Sequence, residues 1–370
     1  MKQKTTLVLT AFAIAGIIVL FSCSKSNNDG GTNPTGQTDS ALLNIGKNVI
    51  IPSYQNLSTA TAALDASVTA FTQAPNATTL ANAQAAYKTA YLAWEGCSEY
   101  QFGPASDQSL LTNTINVFPT DSTVIKSNLS SGSYTIDGIS NLKAQGFPAI
   151  DFLLFGADNA AILARFTTDA AAANAKTYLS AITASIKTKA ATVAVSWSGN
   201  YINQFTSLTG VSAGSSLSLL VNSFVQDYDV VLKNYKLGIP IGKYGTTVLP
   251  QAPAKCEAYY SGISLQLLVQ QVKAFQNIYT GGTGYGFDDK VIASKAQKNG
   301  LPLNDVINAE FTTLLAKLSV LSDPLSAAIV NNNAAVNDAY TEATKLVVLL
   351  KVDLSSALGV KISFQDDDGD

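Results

Sequence analysis

The 370-residue chain contains no histidine at all. Histidine is the side chain that most often acts as a general base near neutral pH, the commonest zinc ligand, and the usual partner of serine and cysteine nucleophiles. A Ser-His-Asp triad, a Cys-His dyad and H-E-x-x-H zinc chemistry are therefore excluded. Any catalysis by this chain has to depend on carboxylates, lysine, tyrosine or a bound metal.

Charge is scarce as well. Charged residues make up 13% of the sequence and the net charge is −3, whereas an average globular protein has about 25% charged residues. The 23 basic residues are scattered along the chain, and Arg165 is the one arginine among them. Nucleic-acid-binding domains carry a basic stripe or patch, so this composition argues against a nucleic-acid partner.

The amino terminus has the organisation of a secretory signal. M-K-Q-K is followed by an apolar run from Thr5 to Phe21 and by L-F-S-C, which ends at Cys23. L-F-S-C resembles a lipobox, the site at which bacterial lipoproteins are acylated on cysteine and cleaved. An uncleaved membrane anchor is the alternative, but the run is short for a bilayer span and a polar linker follows at once. We predict a signal peptide over 1–22, lipidation of Cys23 and a flexible linker over 23–40.

Two cysteines remain after Cys23, namely Cys97 and Cys256. Export predicts a compartment in which disulfides can form, and a disulfide between Cys97 and Cys256 would join the two halves of the chain. Two free, buried thiols are the alternative. The sequence leaves both open.

Apolar residues make up 47% of the chain, enough for a large core, and the length favours two domains. In the first half they recur in steps of three and four, the spacing of one helix face. This spacing predicts one helix from about Ile50 to Pro75 and a second after Asn76 that ends near 102–105. Residues 106–133 are predicted to form a loop that contains short pieces of secondary structure. A short helix is expected around 136–142, and a long alanine-rich helix over about 168–195.

The second half continues in the same way after polar breaks at 198–201 and 208–216, which mark the expected boundary between domains. Apolar stripes follow at 217–235, 267–279 and 303–318. The last helix opens at S-D-P-L with Pro324 in its first turn and runs to about Leu354. Strand-type alternation is scarce. The predicted fold class is all-α, with two helical bundles of roughly four helices each over 41–200 and 201–365, and with an acidic tail over 366–370.

Three stretches of the chain resemble the imelysin family of envelope proteins. The family signature is G-x-H-x-x-E, usually in a setting like G-F-H-A-I-E-F-L-L-W-G, and residues 146–156 are G-F-P-A-I-D-F-L-L-F-G. Residues 93–104, A-W-E-G-C-S-E-Y-Q-F-G-P, are similar to a second family stretch. The third comprises G-I-P-I-G at 238–242 and C-E-A-Y-Y-S-G at 256–262. The resemblance covers about 41–365 and implies two bundles of the four-helix type.

The resemblance implies a metal site that this chain has altered. Members with an intact signature are expected to use its histidine and glutamate as metal ligands; some are linked to iron uptake and others are named as peptidases. Here the histidine position is Pro148, which has no donor or acceptor in its side chain, and the glutamate position is Asp151. Pro148 also has a structural explanation, because proline in the first turn of a helix loses no hydrogen bond, while Asp151 there interacts favourably with the helix dipole. For Asp151, a place in the inner site and a structural role both stay open.

Several acids are candidates for the same site. Glu95 and Glu99 lie four residues apart on the second predicted helix, next to Trp94, in a chain that has little charge. Together with Asp151 and Glu257 they could form an all-oxygen site for a hard cation such as Ca²⁺ or Mg²⁺. The alternative is that these acids are solvated on a helix surface, beside a Trp94 that belongs to the core.

Other residues have one functional and one structural interpretation each. Arg165 could clamp a carboxylate or phosphate of a ligand, or it could pair with Asp169 at i,i+4. Tyr259, Tyr260 and the run G-G-T-G-Y-G-F at 281–287 could line a cleft for a sugar or a peptide. A glycine-rich loop between helices explains that run equally well, because it lacks the strand-then-helix context of a nucleotide fingerprint.

The predicted function is a lipid-anchored, non-catalytic protein of the bacterial cell envelope, linked to iron or metal uptake. It would contact the membrane through its N-terminal lipid and hold an unidentified ligand or protein partner in a cleft between the bundles. The alternative functions are a carboxylate-metal peptidase of the imelysin type, with metal-bound water as nucleophile, and a structural or accessory role in an iron or haem uptake assembly. The one cofactor that this set of residues could bind is a divalent cation held by carboxylates. The candidate cleft residues are Asp151, Trp94, Glu95, Glu99, Glu257, Tyr260 and Arg165.

Overall fold

The structure, a computed structural model, describes residues 39–245 and 247–364 and is built mainly from helices. The described residues lie in one compact unit. The predicted signal peptide over 1–22, the lipidation site Cys23, the linker up to residue 38 and the acidic tail over 366–370 lie outside the described residues.

Ten α-helices belong to the described residues before 208. A π-helical segment, Ile45–Ile50, joins the first and second of these helices into one continuous helical stretch over 40–73. A second π-helical segment, Trp197–Tyr201, joins the ninth and tenth helices at a kink on Gly199. A 3₁₀ turn, Ile139–Ala144, precedes the seventh helix. The helices are α1 (Ser40–Asn44), α2 (Ile51–Gln73), α3 (Ala77–Trp94), α4 (Pro104–Asp107), α5 (Thr112–Ile115), α6 (Ser122–Ser131), α7 (Gly146–Phe155), α8 (Asn159–Thr167), α9 (Ala172–Ser196) and α10 (Ile202–Ser207).

The described residues after 208 hold seven more α-helices and two short hairpins. Two π-helical segments, Asp227–Gly238 and Leu349–Leu354, continue helices of this half. The helices are α11 (Ser216–Gln226), α12 (Ser264–Thr280), α13 (Phe287–Ser294), α14 (Leu303–Ser319), α15 (Leu325–Asn331), α16 (Asn333–Val348) and α17 (Ser355–Leu358). The hairpins pair β1 (Lys243–Tyr244) with β2 (Thr247–Val248), and β3 (Gln297–Lys298) with β4 (Leu301–Pro302).

Local capping chemistry explains where several helices begin. Asn76 accepts hydrogen bonds from the backbone N–H groups of Thr78 and Thr79, and the Thr79 side chain completes a capping box. Asp121 and Asp158 cap α6 and α8 through their carboxylates in the same way. Each of these caps satisfies backbone donors that the first turn of a helix leaves unpaired.

The long helices pack in two sets, and one apolar core runs through both. In the first set α2 packs against α3 and α9, and in the second α14 packs against α16. The sets meet where α12 contacts α3 and the segment Ile45–Ile50. Because the described apolar core is continuous from Leu42 to Val360, the division into two bundles at residue 200 stays a prediction.

The predicted all-α class is confirmed. In the short helix expected around 136–142, Ile139 is 89% exposed, whereas the stripes predicted at 217–235, 267–279 and 303–318 face the core with one exception. Tyr235, the last residue of the stripe predicted at 217–235, is 37% exposed. The predicted stripe assumes 3.6 residues per turn, whereas residues 227–238 form a π-helix, whose wider turn shifts each later side chain around the axis.

The last helix also differs from its prediction, because it is interrupted. Pro324 precedes α15 as its N-cap, α15 ends at Asn331, and the chain restarts at Asn333 before it runs on through residue 358. The helices α6 and α8, in regions expected to be loop or left unassigned, are further additions. Within the described ranges no single helix has the length and hydropathy of a membrane span, although Ile139–Phe155 and Asn159–Thr167, bent by 107°, meet those requirements as a pair.

Candidate functional site

The candidate site is a cluster of buried polar side chains where α3, the chain after residue 226 and the start of α12 meet. Glu95 caps the C-terminal end of α3, and Glu99 lies in the turns that follow. Both are 0% exposed. The prediction that they occupy one side of a helix is wrong because α3 ends at Trp94, and the alternative of solvated surface acids is wrong because both are fully buried.

A lysine lies between two of the acids. The Lys236 ammonium donates to Glu95 Oε2 and lies 2.9 Å from Glu257 Oε2. Its side chain is 2% exposed. A buried charge is tolerated only when an opposite charge or several hydrogen bonds compensate it, so Lys236 provides the internal counter-charge of this cluster.

Glu257 is held from its other side by neutral donors. Asn116 Nδ2 donates to Glu257 Oε1 at 2.7 Å, and the Tyr91 hydroxyl lies 3.1 Å from the same oxygen. The Tyr91 hydroxyl also contacts Asn116 Oδ1, and its single proton is shared between these two acceptors. These contacts fix the orientation of the carboxylate, because both of its oxygens are engaged by groups from different parts of the chain.

Asp227 is the centre of a second, adjoining network. Its Oδ2 accepts from Ser98 Oγ at 3.1 Å and from Gln271 Nε2 at 2.8 Å, and its Oδ1 accepts from Gln101 Nε2 at 2.9 Å. Gln271 also donates to Ser98. Asp227 opens the π-helical segment that carries Lys236, so the two networks share one element.

Burial controls the protonation of these acids. It raises the pKa of Glu95 well above its usual range, and the charge of Glu257 raises it further while Lys236 opposes the shift. Burial also raises the pKa of Glu99 well above its usual range and that of Asp227 to about 6. For Lys236, burial alone would lower the pKa, but the charges of Glu257 and Glu95 outweigh it and raise the pKa above its ordinary value.

The family signature lies beside this cluster. Pro148 is the third residue of α7, where a missing N–H costs no helical hydrogen bond. Asp151 is 2% exposed and accepts hydrogen bonds from the backbone N–H groups of Tyr260 at 2.8 Å and Ser261 at 3.0 Å. Burial nevertheless raises the Asp151 pKa. Pro148 and Asp151 line a crevice of about 30 Å³, so this part of the signature faces the interior.

The residues present do not fit the metal that the family signature implies. Pro148 offers no ligand, both Asp151 oxygens already accept backbone hydrogen bonds, and the Lys236 ammonium occupies the space between Glu95 and Glu257. Among the described residues no three Asp, Glu or Cys side chains converge closely enough to hold a metal ion. The predicted all-oxygen site of Asp151, Glu95, Glu99 and Glu257 is therefore not assembled.

Two other candidates have structural contacts instead. Arg165 donates to the carbonyls of Phe152 and Leu153 at the end of α7, and its guanidinium lies 5.1 Å from the centre of the Phe152 ring. It therefore caps a helix and takes no part in the cluster. Trp94 is 1% exposed and belongs to the core, as its structural interpretation predicted.

The segment after Glu257 contributes mainly through its backbone. Tyr260 supplies an N–H to Asp151 and packs edge-on against Phe152 with ring centres 5.3 Å apart. The run 281–287 connects α12 to α13, in agreement with the loop interpretation.

Cys97 and Cys256 are free thiols. The disulfide interpretation is wrong for this structure, because the Cys97 thiol faces the Ala93 carbonyl of its own helix end at 3.7 Å, whereas Cys256 lines the crevice beside Pro148.

Sequence reasoning missed Lys236, Asp227 and Asn116. A signal existed for the first two, because D-Y-D-V-V-L-K-N-Y-K at 227–236 places four charged residues within ten positions of a chain that is only 13% charged. Asn116 carries no comparable signal. The arrangement as a whole can hold charge in a dry interior and bind protons, but its lysine is neutralised by two acids and is not a free nucleophile.

Comparison with known proteins gives one family. The imelysin family model (peptidase M75) matches residues 50–352. No curated protein sequence matches the chain. Among solved structures, the chain is similar to a protein described as an iron-regulated protein A precursor from Parabacteroides distasonis, with a TM-score of 0.70 and 17% identity over 89% of this chain and 97% of that chain.

A second solved structure agrees with the first. It is an imelysin-like protein from Psychrobacter arcticum, with a TM-score of 0.60 and 19% identity over 88% of this chain and 99% of that chain. At such identities the likeness establishes the fold.

Proposed function

The chain belongs to the imelysin family, and from that premise we propose that it is a lipid-anchored binding protein of the bacterial envelope that does not catalyse peptide hydrolysis. The observation that carries the proposal is the Lys236 ammonium between Glu95 and Glu257, beside a signature whose histidine position is Pro148. The Lys236 ammonium compensates one of the two charges of Glu95 and Glu257, and burial favours the neutral form of Glu95 by raising its pKa, so these two acids have no need of a metal for charge compensation.

Metal titration tests the proposal directly. We expect isothermal titration calorimetry of the purified mature chain with Fe²⁺ and with Zn²⁺ to give no high-affinity site. The matched variant carries Pro148→His and Asp151→Glu, which restores both signature ligands on the same backbone. Nanomolar binding by the natural chain would overturn the proposal, and binding by the restored variant alone would support it.

A peptidase assay tests the alternative function. A carboxylate-metal peptidase requires a metal-bound water as nucleophile, and no such site is assembled from the described acids. We expect denatured casein to stay intact after long incubation with the protein and Mg²⁺, Ca²⁺ or Zn²⁺. Cleavage that disappears in the Asp151→Asn variant would establish the peptidase instead.

The lipid anchor is proposed from L-F-S-C alone. Cells that express the protein should incorporate labelled palmitate into it, and the protein should sediment with membranes. The Cys23→Ala variant should lose both properties, since Cys23 is the only acceptor in the predicted lipobox. Label that persists in this variant would place the modification elsewhere.

A role in the response to iron is also part of the proposal. One structural relative is described as an iron-regulated protein A precursor, and the fold it shares with this chain is the support for this part of the proposal. We expect the amount of the protein, measured by quantitative immunoblot, to change severalfold when an iron chelator is added to the culture. A constant amount of the protein would contradict the link to iron, but it would not contradict the proposed binding function.

A further inference from the structure

A pocket of about 220 Å³ lies beside α7 and shares no lining residue with the buried cluster. Its walls come from α6, α7, α8 and the stretch between α8 and α9. Leu129 and Phe152 make part of the lining apolar, and Lys126 and Arg165 bring two cations to it. The volume is below the range of about 300–1,000 Å³ that is typical of sites for drug-sized ligands, so the pocket suits a group of few atoms.

Arg165 brings a guanidinium that is only partly used. Its Nη1 donates to the carbonyls of Phe152 at 3.2 Å and Leu153 at 2.8 Å, and within the described ranges Arg165 makes no other hydrogen bond and no ion pair. The i,i+4 ion pair with Asp169 that the sequence left open is therefore not formed. Nε and Nη2 form the edge of a guanidinium that grips an oxyanion with two parallel hydrogen bonds, and here that edge has no protein acceptor.

The guanidinium is fixed in position before any ligand binds. Two carbonyls at the end of α7 hold Nη1, and the Phe152 ring lies 5.1 Å from the guanidinium carbon. Phe152 is held in turn by the Tyr260 ring, whose centre lies 5.3 Å away. Because the side chain is already ordered, an incoming anion causes little further loss of side-chain entropy.

The half-buried position of Arg165 leaves its charge partly uncompensated. Burial lowers the pKa of the guanidinium from its ordinary value, and the negative charge of Asp169 opposes this shift. Removing a cation from water is costly unless an opposite charge or hydrogen bonds replace the lost hydration. Arg165 has hydrogen bonds on one nitrogen only, so an anion on its free edge would supply the missing compensation.

Two further features make the pocket positive. Lys126 is exposed, and it makes no ion pair among the described residues. Ala171 lines the pocket and is the N-cap of α9, a helix of 25 residues whose first turn receives no side-chain cap. The N-terminal end of a helix carries the equivalent of about half a positive charge. Asp169 also lines the pocket, but its single negative charge offsets only one of the two cations.

We propose that this pocket binds a small oxyanion, a phosphate or a carboxylate group, on the free edge of Arg165 with Lys126 as the second cation. This inference goes beyond the proposed function, because it assigns a ligand to a site that is separate from the Glu95, Glu257 and Lys236 cluster.

Inorganic phosphate is the first probe, titrated into the full mature chain in a buffer of low salt. We expect a Kd on the order of 1 mM by ³¹P NMR, as suits a ligand of few atoms held mainly by charge-assisted hydrogen bonds. Acetate should displace the phosphate, whereas chloride at the same ionic strength should displace it less, because chloride cannot make two parallel hydrogen bonds to the guanidinium edge. Phosphate should bind more tightly than acetate, since it carries more negative charge.

Four variants assign the binding to this pocket. Arg165→Gln should weaken phosphate binding at least about tenfold, because it removes the charge-assisted pair of hydrogen bonds. Lys126→Gln should weaken it severalfold, and Asp169→Asn should strengthen it severalfold by removing a like charge. Lys47→Gln, which removes an exposed lysine of the segment Ile45–Ile50 outside the pocket, should change nothing.

The test does not depend on the variant that also affects packing. Arg165 contacts the end of α7, so circular dichroism checks that Arg165→Gln is folded, while Lys126 and Asp169 are both exposed and their variants leave the core unchanged. Opposite shifts in Lys126→Gln and Asp169→Asn, with no shift in Lys47→Gln, would support the site even if Arg165→Gln failed to fold.

Three outcomes would overturn the inference. They are no phosphate binding at about tenfold the expected Kd, equal displacement by acetate and chloride, and equal affinity of the natural chain, Lys126→Gln and Asp169→Asn. None of them bears on the proposed function, which the metal titration described above tests independently at the buried cluster.

Discussion

At the scale of single residues, Lys236 is the most consequential side chain of the interior. In Lys236→Met, Glu95 and Glu257 keep their buried positions and lose their shared counter-charge. Removing one partner of a buried ion pair costs roughly 3–5 kcal/mol of unfolding free energy. We expect a loss of that size in urea denaturation monitored by circular dichroism.

Lys317→Met is the matched control for that loss. Lys317 pairs with Asp338 at 3.2 Å, but the two side chains are 40% and 61% exposed, and such pairs contribute at most about 1 kcal/mol. A loss in Lys236→Met no larger than in this control would contradict the role assigned to the buried ammonium.

Asp227 makes stability depend on pH. Burial raises its pKa from 3.8 to about 6, so between these values the folded chain holds a proton that the unfolded chain has released. The unfolding free energy therefore falls as the pH rises through this window, by roughly 3 kcal/mol at about 1.4 kcal/mol per pKa unit. The loss is complete above the folded pKa.

Asp227→Asn should remove this contribution from the pH profile. Glu95 and Glu99 also have raised pKa values, to which the charge of Asp227 contributes, so the difference between the two urea-denaturation profiles reports Asp227 together with its effect on these two acids. Parallel profiles between pH 4 and about 7 would show that Asp227 keeps an ordinary pKa.

Single residues also show which part of the candidate site the sequence predicts and which part it does not. Glu95 is a candidate because charge is rare in this chain, Asp151 because it occupies the glutamate position of the signature, and Glu257 as a further acid for the same site, and all three are buried. Their partners were not predicted, because Lys236 lies 141 residues from Glu95 in the sequence. No local pattern encodes which distant cation meets a buried acid.

At the scale of elements, Gly146 allows α7 to approach α5. Its φ is +72°, and a Cβ at this position would lie 2.0 Å from the Ile115 carbonyl oxygen. Gly146→Ala therefore combines a left-handed backbone with a backbone clash, and we expect it to cost at least about 2 kcal/mol of unfolding free energy.

Gly300→Ala is the control for the backbone conformation alone. Gly300 has φ +81°, with no atom within 4 Å of a built Cβ, so the substitution should cost only about 1 kcal/mol. Equal losses in the two variants, measured by chemical denaturation, would mean that the close approach to Ile115 is unimportant.

The π-helical segment Asp227–Gly238 explains the main error in the stripe predictions. Leu217 to Val231 are inward as the 3.6-residue period requires, and Tyr235 then turns outward. Because the turn is wider, buried charged residues and buried apolar residues both fit on this one helical segment. A regular amphipathic helix buries only its apolar stripe and leaves its charged face in solvent. The stripe itself was predictable, but the change of period within it was not.

At the scale of the whole molecule, the core holds two free thiols. Cys97 and Cys256 are each 1% exposed, and burial raises the Cys256 pKa to about 12. In a Cys23→Ser variant we therefore expect no reaction with Ellman's reagent at pH 8 in the native state, because a buried thiol of high pKa is a poor nucleophile.

Denaturation completes the thiol experiment. In guanidinium chloride without reductant, two equivalents should react per chain, one for each free thiol. An absence of reactive thiol under these conditions would mean that the two cysteines are bonded, and it would restore the disulfide that the sequence left open.

The sequence by itself determined the all-α class, the positions of the long helices, the exclusion of histidine chemistry and the family, because periodicity, capping residues and motifs are local properties of the chain. Only the tertiary structure decided which charges meet in the interior, that Glu95 and Glu99 are buried beyond the end of α3, and that the cysteines are free thiols. These depend on long-range packing, in which the cost of burying each charge is offset by a partner from a distant segment.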